Sequence, residues 1–291
     1  MINVDLLMCD PCLFYLIIKN TMGIVGELVM TKSKKITIGA AQFNIIEANK
    51  EQNLEKAAKY IFKAADLGTD LVLLPEVFLT DYSVKIDIES LAEPLDGPSI
   101  SILKELARKN KIAIVGSYLE LDIDGSVYNT AFFIDDQGKI LGSYRKMHLF
   151  DQEKKFVKEG NELTNIVYRD IHFGILICFD IEFPEPARAL SLSGMEVLLV
   201  CSANMDPYGL FHRVFSVSRA IENHTFVAYC NRTGENSSYR FIGESCIVSP
   251  TGEIMGELNI NEGLLVRELE LHDIIKSKKV YNYLKDRKVK M

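Results

Sequence analysis

The 291 residues of the chain are 48% hydrophobic and 25% charged, which is typical of a folded globular protein and excludes disordered, collagen-like and low-complexity chains. The 33 basic and 40 acidic side chains give a net charge of −7, so no general electrostatic attraction to nucleic acid or to an anionic membrane is expected. Six cysteines are too few for a disulfide scaffold, and most lie in apolar runs, which indicates a reducing, cytoplasmic location.

The first 34 residues differ from the rest of the chain, and we expect them to form an extension outside the folded domain. Cys9 and Cys12 have the spacing of a zinc or redox pair, but no second pair accompanies them, so a redox protein is the weakest of the functions considered. The apolar run at 13–18 is shorter than the ~20 residues that a membrane span needs. We expect neither a membrane anchor nor a signal peptide.

Apolar runs and amphipathic segments alternate from residue 35 onward. In 51–67 apolar residues recur at the spacing of one helix face, whereas 71–74 is a continuous apolar run that fits a strand buried on both faces. An Asp-Gly pair at 124–125 predicts a hairpin. In chain order we predict a strand at 36–43, a helix at 51–67, a strand at 71–74, a helix at 100–109, strands at 112–119, 128–134, 140–144 and 173–179, a helix at 184–193, a strand at 196–202, a helix at 211–222, and strands at 225–230, 245–248, 253–257 and 264–269.

This order of elements indicates an α/β fold with mixed sheets and helices on the outside. No linker, repeat or composition break interrupts 35–275, so we predict a single domain over that range. The tail at 276–291 is basic, and we expect it to be a solvated terminus that does not bind nucleic acid. Its basic residues are Lys276, Lys278, Lys279, Lys285, Arg287, Lys288 and Lys290.

Complementary chemical groups lie at the ends of three predicted strands. Glu76 and Lys146 each follow a strand, and Cys178 lies near the end of a third. Active groups of open α/β sheets cluster at the carboxyl ends of strands. Each residue alone has an ordinary structural explanation, but a thiol nucleophile needs a base and a developing oxyanion needs a cation. The combination therefore indicates nucleophilic catalysis by a cysteine.

The residues around these positions resemble the signatures of the nitrilase superfamily of carbon–nitrogen hydrolases. The matching stretches are LLPE at 73–76, YRKMHLF at 144–150 and ICFDIEFPE at 177–185. Their order, Glu then Lys then Cys, and their separations of 70 and 32 positions suit that family. The resemblance continues to the tail, where NYLKDR at 282–287 is similar to the family's usual end.

The resemblance implies that Cys178 is the nucleophile, that Glu76 is the general base and that Lys146 stabilises the tetrahedral intermediate. The backbone N–H of Phe179 would be a second oxyanion donor. A free thiol has a pKa of about 8.5, and Lys146 is expected to favour its ionised form. Loss of ammonia would leave a thioester on Cys178, which water then hydrolyses.

A second glutamate usually follows the lysine in this family. Glu153 matches best, because the sequence EKKF at 153–156 leads to Gly160 as it does in amidase-like members, and Glu159 is the alternative. The resemblance therefore adds Glu153 to the predicted catalytic residues.

The predicted substrate-binding residues are Phe179, Tyr82 and Asn204, which lie close to the motifs or at the end of a neighbouring strand. Arg145 and His148 flank the lysine and are expected to orient its loop. We expect no metal and no organic cofactor, which agrees with five histidines in no metal-binding spacing.

The fold implied by the resemblance is a four-layer α-β-β-α sandwich with two mixed sheets, assembled as a homodimer or a higher homo-oligomer. The implied activity is hydrolysis of a small amide or N-carbamoyl compound, since Phe-Asp follows the cysteine as in amidase-like members. We expect a small-molecule substrate and no nucleic-acid or membrane partner. Nitrile hydrolysis and a catalytically silent binding subunit of the same fold are the alternatives.

Overall fold

The computed structural model describes residues 34–81 and 87–289 and traces three further strands, β1 (Asn3–Met8), β2 (Phe14–Lys19) and β3 (Val25–Val29). These three strands pair with one another in an antiparallel sheet. The predicted features Cys9, Cys12 and Tyr82 lie outside the described residues.

Strands and helices alternate through the rest of the chain. The strands are β4 (Lys35–Gln42), β5 (Leu71–Leu73), β6 (Ala113–Leu121), β7 (Val127–Ile134), β8 (Ile140–Arg145), β9 (Asn165–Tyr168), β10 (Ile171–Ile177), β11 (Val197–Ser202), β12 (Phe226–Asn231), β13 (Thr233–Glu235), β14 (Arg240–Ile242), β15 (Cys246–Val248), β16 (Ile254–Glu257) and β17 (Gly263–Glu270). The α-helices are α1 (Lys50–Asp66), α2 (Ile88–Leu91), α3 (Pro98–Asn110), α4 (Pro184–Leu192), α5 (Gly209–Asn223), α6 (His272–Val280) and α7 (Tyr283–Asp286). Two 3-10 helices span Asp151–Lys155 and Cys178–Glu182.

Most of the strands in the described ranges belong to two six-stranded mixed sheets. The first has the order β17-β4-β5-β6-β7-β8, in which β4, β5 and β6 are parallel and both flanks are antiparallel. The second has the order β16-β15-β12-β11-β10-β9, in which β10, β11 and β12 are parallel. Each sheet therefore has a parallel centre whose carboxyl edge can carry active groups.

An apolar layer fills the space between the two sheets. Side chains alternate between the faces of a strand, so Leu71 and Leu73 of β5 belong to this layer while Val72 belongs to the cluster under the helices. The rings of Phe133 on β7 and Phe173 on β10 lie 5.5 Å apart across the layer. This packing holds the two parallel centres at a fixed distance from each other.

Helices cover the outer face of each sheet. Ile61 of α1 and Leu103 of α3 pack in the same cluster as Val72, and α4 packs against β10 in the second sheet. Gly174 permits this close approach, because a Cβ at that position would lie only 2.8 Å from Leu190 Cδ1 of α4. The layers are helix, sheet, sheet and helix, which confirms the predicted α-β-β-α sandwich.

Most of the predicted elements are present with their ends shifted by one or two residues, but one difference bears on the site. The strand predicted at 173–179 ends at Ile177, because Cys178 adopts a left-handed φ of +46° and begins a 3-10 helix. The Ile177 N–H donates to the Asp180 carboxylate at 3.1 Å, which stabilises this turn. The short elements α2, β9, β13 and β14 and the helices α6 and α7 were not predicted.

The predicted domain boundary at residue 275 falls inside α6. Ile274 and Ser277 of this helix are buried, and the Tyr283 N–H donates to His224 Nε2 at 3.2 Å. The fold thus continues into the segment that we predicted as a solvated tail, because a few uncharged side chains in it pack against the domain. In the described ranges, no helix is long and apolar enough to cross a bilayer.

Removal of residues 1–33 is expected to leave the unfolding temperature within about 3 °C of the full chain, since 1 kcal/mol corresponds to ~2–4 °C in a domain of this size. The reason is that β1, β2 and β3 pair with one another, whereas the first strand in the chain that belongs to a six-stranded sheet is β4, which pairs with β17. Differential scanning calorimetry measures the change. A chain shortened through β4 is the control and should not unfold cooperatively. A drop of more than 10 °C, or ~3 kcal/mol, on removing only 1–33 would contradict the prediction that this segment lies outside the domain.

Candidate active site

Glu76 lies three residues beyond β5 and is tied to both sheets. Its backbone N–H donates to the carbonyl of Ser202, at the end of β11, at 3.2 Å. Two residues earlier, the Leu74 N–H donates to the Val115 carbonyl of β6 at 2.8 Å. The Glu76 side chain is buried, so its carboxylate is held at the junction of the two sheets.

Lys146 follows β8, and its ammonium lies between two carboxylates. Nζ donates to Glu76 Oε1 at 2.7 Å and to Glu153 Oε2 at 2.8 Å. Asn129 Nδ2 donates to the same two side chains, at 2.8 Å to Glu76 and 2.9 Å to Glu153. All four side chains are buried, so solvent screens these interactions very little. We call Glu76, Asn129, Lys146 and Glu153 the carboxylate–lysine cluster.

Glu153 lies in this cluster, whereas the alternative glutamate does not. Glu153 belongs to the 3-10 helix Asp151–Lys155, and its Oε2 also accepts from the Phe150 N–H at 3.0 Å. Glu159 is exposed. The geometry therefore favours Glu153 over Glu159 as the second glutamate beside Lys146.

Cys178 is buried at the end of β10 and is the first residue of the 3-10 helix Cys178–Glu182. Its left-handed φ of +46° is strained for a residue with a side chain, at a cost of about 1–3 kcal/mol. The thiol lies close to the Ser202 hydroxyl, the Ala203 backbone and the Glu76 carboxylate. The strained turn thus places the sulfur at the carboxylate–lysine cluster.

The pKa of the Cys178 thiol is raised in this site. Burial and the negative charge of Glu76 raise its pKa well above the usual thiol range, and they outweigh Lys146, which lowers the pKa. Lys146 acts in the expected direction, because its positive charge favours the thiolate, but burial has the larger effect on the thiol pKa.

Glu76 also holds a proton more tightly than an ordinary glutamate. Burial raises its pKa, the positive charge of Lys146 opposes this, and the charge of Glu153 raises it further. Its second oxygen, Oε2, is buried without a well-formed hydrogen bond among the described residues. A carboxylate with a raised pKa and an unsatisfied oxygen next to a thiol is suited to accept the thiol proton.

Asp180 connects the cysteine turn with the lysine loop. Its Oδ2 accepts from the Tyr144 hydroxyl at 2.8 Å and from the Ile177 N–H at 3.1 Å, and its Oδ1 lies 2.9 Å from the His148 N and 2.8 Å from His148 Nδ1. The side chain is fully buried. Through these bonds one carboxylate fixes the segments on both sides of Lys146 relative to Cys178.

A small cleft opens beside the thiol. Two of the predicted binding residues, Phe179 and Asn204, line it with Cys178, and the third, Tyr82, lies outside the described residues. The Asn204 amide is engaged within the protein, since Nδ2 donates to the Tyr208 carbonyl at 3.2 Å and Oδ1 accepts from the Met205 N–H at 3.0 Å. Asn204 therefore shapes the wall of the cleft rather than offering a free amide.

Sequence reasoning missed three parts of this arrangement: Asn129, Ser202 and the hydrogen-bonding role of Asp180. Asn129 was detectable as an amide side chain inside a mostly apolar strand, at a buried position of β7. Arg145, expected to orient the lysine loop, pairs instead with Glu120 and Asp122 on the neighbouring strand and turn. In the described part of the chain, no group of three or more His, Cys, Asp or Glu side chains could hold a metal ion.

Comparison with known proteins agrees with this geometry. A family model described as carbon-nitrogen hydrolase matches residues 37–279. The chain belongs to this family. It is a carbon–nitrogen hydrolase of the nitrilase superfamily, in the amidase-like branch.

Relatives within this superfamily include characterised amidases. The chain is 36% identical to an (R)-stereoselective amidase of Pseudomonas sp., over 81% of this chain and 86% of the relative. The structure of Nit3 from Saccharomyces cerevisiae, a member of the nitrilase superfamily, matches with a TM-score of 0.83 and 31% identity over 88% of this chain and 97% of that one. A mutant of the amidase from Nesterenkonia sp. AN1 matches with a TM-score of 0.76 and 28% identity over 87% and 94%, and its structure shows covalent addition of the acetamide moiety of fluoroacetamide at the active site cysteine.

Replacing Asp180 by Asn is expected to lower the free energy of unfolding by about 1–3 kcal/mol, because the amide nitrogen would face two buried donors that need an acceptor. We also expect kcat for amide hydrolysis to fall at least about tenfold, or ~1.4 kcal/mol. The reason is that the segment around Lys146 would no longer be held in position relative to Cys178. Thermal unfolding and ammonia release measure the two effects.

Glu185→Gln is the matched control, because Glu185 is exposed on the same segment and should leave both quantities unchanged. If Asp180→Asn unfolded at a lower temperature but kept the wild-type kcat well below that temperature, Asp180 would stabilise the fold without positioning the site.

Proposed function

We propose that the chain hydrolyses a small amide, or an N-carbamoyl compound, through a thioester on Cys178 and releases ammonia. The observation that carries this proposal is the convergence of the Cys178 thiol, the Glu76 carboxylate and the Lys146 ammonium at one edge of the two sheets, beside an open cleft. Amidase relatives and a neighbour with a reactive active-site cysteine support it.

In the first step the Cys178 sulfur attacks the amide carbon while its proton passes to Glu76. Because the pKa of the thiol is raised, the mechanism needs a base that takes the thiol proton as the C–S bond forms. The buried, unsatisfied Oε2 of Glu76 is available to take the proton. The carbonyl oxygen gains the negative charge as the tetrahedral intermediate forms.

Two donors stabilise this oxyanion. One is the Lys146 ammonium, which Glu76 and Glu153 hold in place. The other is the Phe179 N–H, in the first turn of a 3-10 helix where backbone N–H groups have no acceptor within the helix. Oxyanion donors of this kind contribute roughly 3–4 kcal/mol each to the transition state.

Collapse of the intermediate breaks the C–N bond. Protonated Glu76 gives its proton to the leaving nitrogen, ammonia departs, and the acyl group remains on sulfur. Water then attacks the thioester, its proton passes to Glu76, and a second collapse returns that proton to Cys178. The net reaction is amide plus water to carboxylic acid plus ammonia. In both halves Glu153 takes no proton, and it holds and balances Lys146.

The proposal extends to the setting of the enzyme. We propose a cytoplasmic protein that assembles as a homodimer or a higher homo-oligomer. Support for assembly comes from apolar side chains left exposed on α5, where Leu210, Phe211 and Val214 are each about half exposed or more. Nitrile hydrolysis and a silent binding subunit are the competing functions, and release of ammonia from amides but not from nitriles distinguishes all three.

Replacing Cys178 by Ala is expected to lower ammonia release from butyramide at least about 10⁴-fold, because the thioester route is lost while binding remains. A coupled glutamate dehydrogenase assay measures the rate. Cys246→Ala is the control, since Cys246 is equally buried but does not line the cleft. Wild-type turnover without the Cys178 thiol would exclude the proposed mechanism.

In the pH profile of kcat/KM, we expect the loss of activity on the acid side to occur at a pH above the ordinary pKa of a glutamate. The reason is that Glu76 must be ionised to act as a base and its pKa is raised. Activity is therefore lost as the pH falls through that raised pKa. Glu153→Gln removes a negative charge that raises the Glu76 pKa, so this loss of activity should move to lower pH even though the maximal rate falls. A pH profile of ammonia release measures the change, and a shift to higher pH would contradict this assignment.

A further inference from the structure

The cleft beside Cys178 has apolar walls and one acidic end. Its apolar and aromatic lining is Phe150, Phe179, Met205 and Tyr208, and its remaining polar lining is Asn204, His212 and Glu182. Among the described lining residues none is a lysine or an arginine. Among these described lining residues, Glu182 is the one that carries a carboxylate.

The Glu182 carboxylate is oriented through one of its oxygens only. Oε1 lies 3.2 Å from His212 Nε2, and His212 Nδ1 lies 3.0 Å from the Tyr229 hydroxyl. A carboxylate only accepts hydrogen bonds, so His212 donates to Glu182 through Nε2. No hydrogen bond from a described residue reaches the second oxygen, Oε2, and the side chain keeps 23% of its surface exposed.

The nearest arginine does not neutralise this carboxylate. Arg219 donates to the backbone carbonyls of Ile181 and Glu182, at 3.0 and 2.8 Å, and its Nη1 donates to Glu222 at 2.9 Å. Arg219 thus binds the main chain under Glu182 and directs its charge to another glutamate. Glu182 therefore keeps an open acceptor oxygen in a half-buried position, with His212 as the side chain that contacts its other oxygen.

We propose that Glu182 is a specificity-determining residue that binds a cationic amine on the acyl part of the substrate. This inference rests on the proposed amide hydrolysis and names its substrate class: amides that carry an ammonium group, in preference to neutral amides and to amides that carry a carboxylate. Two carboxylates hold the Lys146 ammonium at the end of the site where the substrate carbonyl binds. At the other end of the cleft, Glu182 is the residue that can recognise a charged group on the substrate.

The distance within the helix sets the length of such a substrate. Cys178 and Glu182 are four residues apart on one 3-10 helix, which rises ~2 Å per residue, so their backbones are roughly 8 Å apart along the axis. The side chains of Cys178 and Glu182 each cover part of that distance. A substrate whose ammonium lies three or four bonds from its amide carbon covers the rest. A carboxylate at the same place would meet Glu182 with like charge.

The test compares three amides of one chain length: γ-aminobutyramide, valeramide and glutaramate, which end in an ammonium, a methyl group and a carboxylate. For the wild-type enzyme we expect kcat/KM to fall in that order, by about tenfold at each step. Glu182→Gln keeps a hydrogen-bond acceptor for His212 and removes the charge. It should lower kcat/KM for γ-aminobutyramide about tenfold through KM, raise it for glutaramate, and leave valeramide within about twofold.

Two further variants make the result decisive. Glu182→Lys should reverse the order of the charged substrates, and Glu185→Gln, exposed on the same segment, should leave it unchanged. Wild-type preference for glutaramate, or an unchanged order in Glu182→Gln, would overturn the inference.

Binding separates this inference from the proposed function. If no amide releases ammonia, the proposed function fails, and calorimetric binding of the same three compounds to Cys178→Ala, with and without Glu182→Gln, still tests the charge preference. Tighter binding of γ-aminobutyramide that depends on Glu182 would support the inference, and equal binding of all three compounds would overturn it.

Discussion

The site depends on one buried interaction, the Lys146 ammonium held between the Glu76 and Glu153 carboxylates. A buried charge without partners costs several kcal/mol, so each member of this group is stable only while the others are in place. Glu76 follows β5 and Lys146 follows β8 of the first sheet, while Cys178 follows β10 of the second. The group and the thiol meet only when the two sheets are docked, which makes packing of the inter-sheet layer a condition for chemistry.

The charge balance of this group determines how the cysteine is used. Burial is the largest cause of the raised pKa values of Glu76 and Cys178, and a neighbouring carboxylate raises each of them further, while Lys146 lowers both. In the proposed mechanism, Glu76 takes the thiol proton and Lys146 stabilises the oxyanion in the same step in which the sulfur attacks the carbonyl carbon.

The catalytic residues could be predicted from the sequence, but the contacts that connect them could not. Glu76, Lys146 and Cys178 were predictable because each follows an apolar strand and because the three stretches around them resemble one family. The end of the strand at residue 177 was not predictable, since it depends on the left-handed φ of Cys178 and on the hydrogen bond from the Ile177 N–H to Asp180. The links from Asp180 to Tyr144 and His148 bridge more than thirty positions, and no local pattern signals such contacts.

The central claim is that Cys178 itself carries the acyl group during turnover. The most direct measurement is mass spectrometry of enzyme quenched in acid during hydrolysis of butyramide, followed by peptide mapping. We expect an adduct with the mass of a butyryl group on the peptide that contains Cys178 and on no other cysteine. Steady ammonia release with no such adduct, or with an acyl group on a different residue, would contradict it.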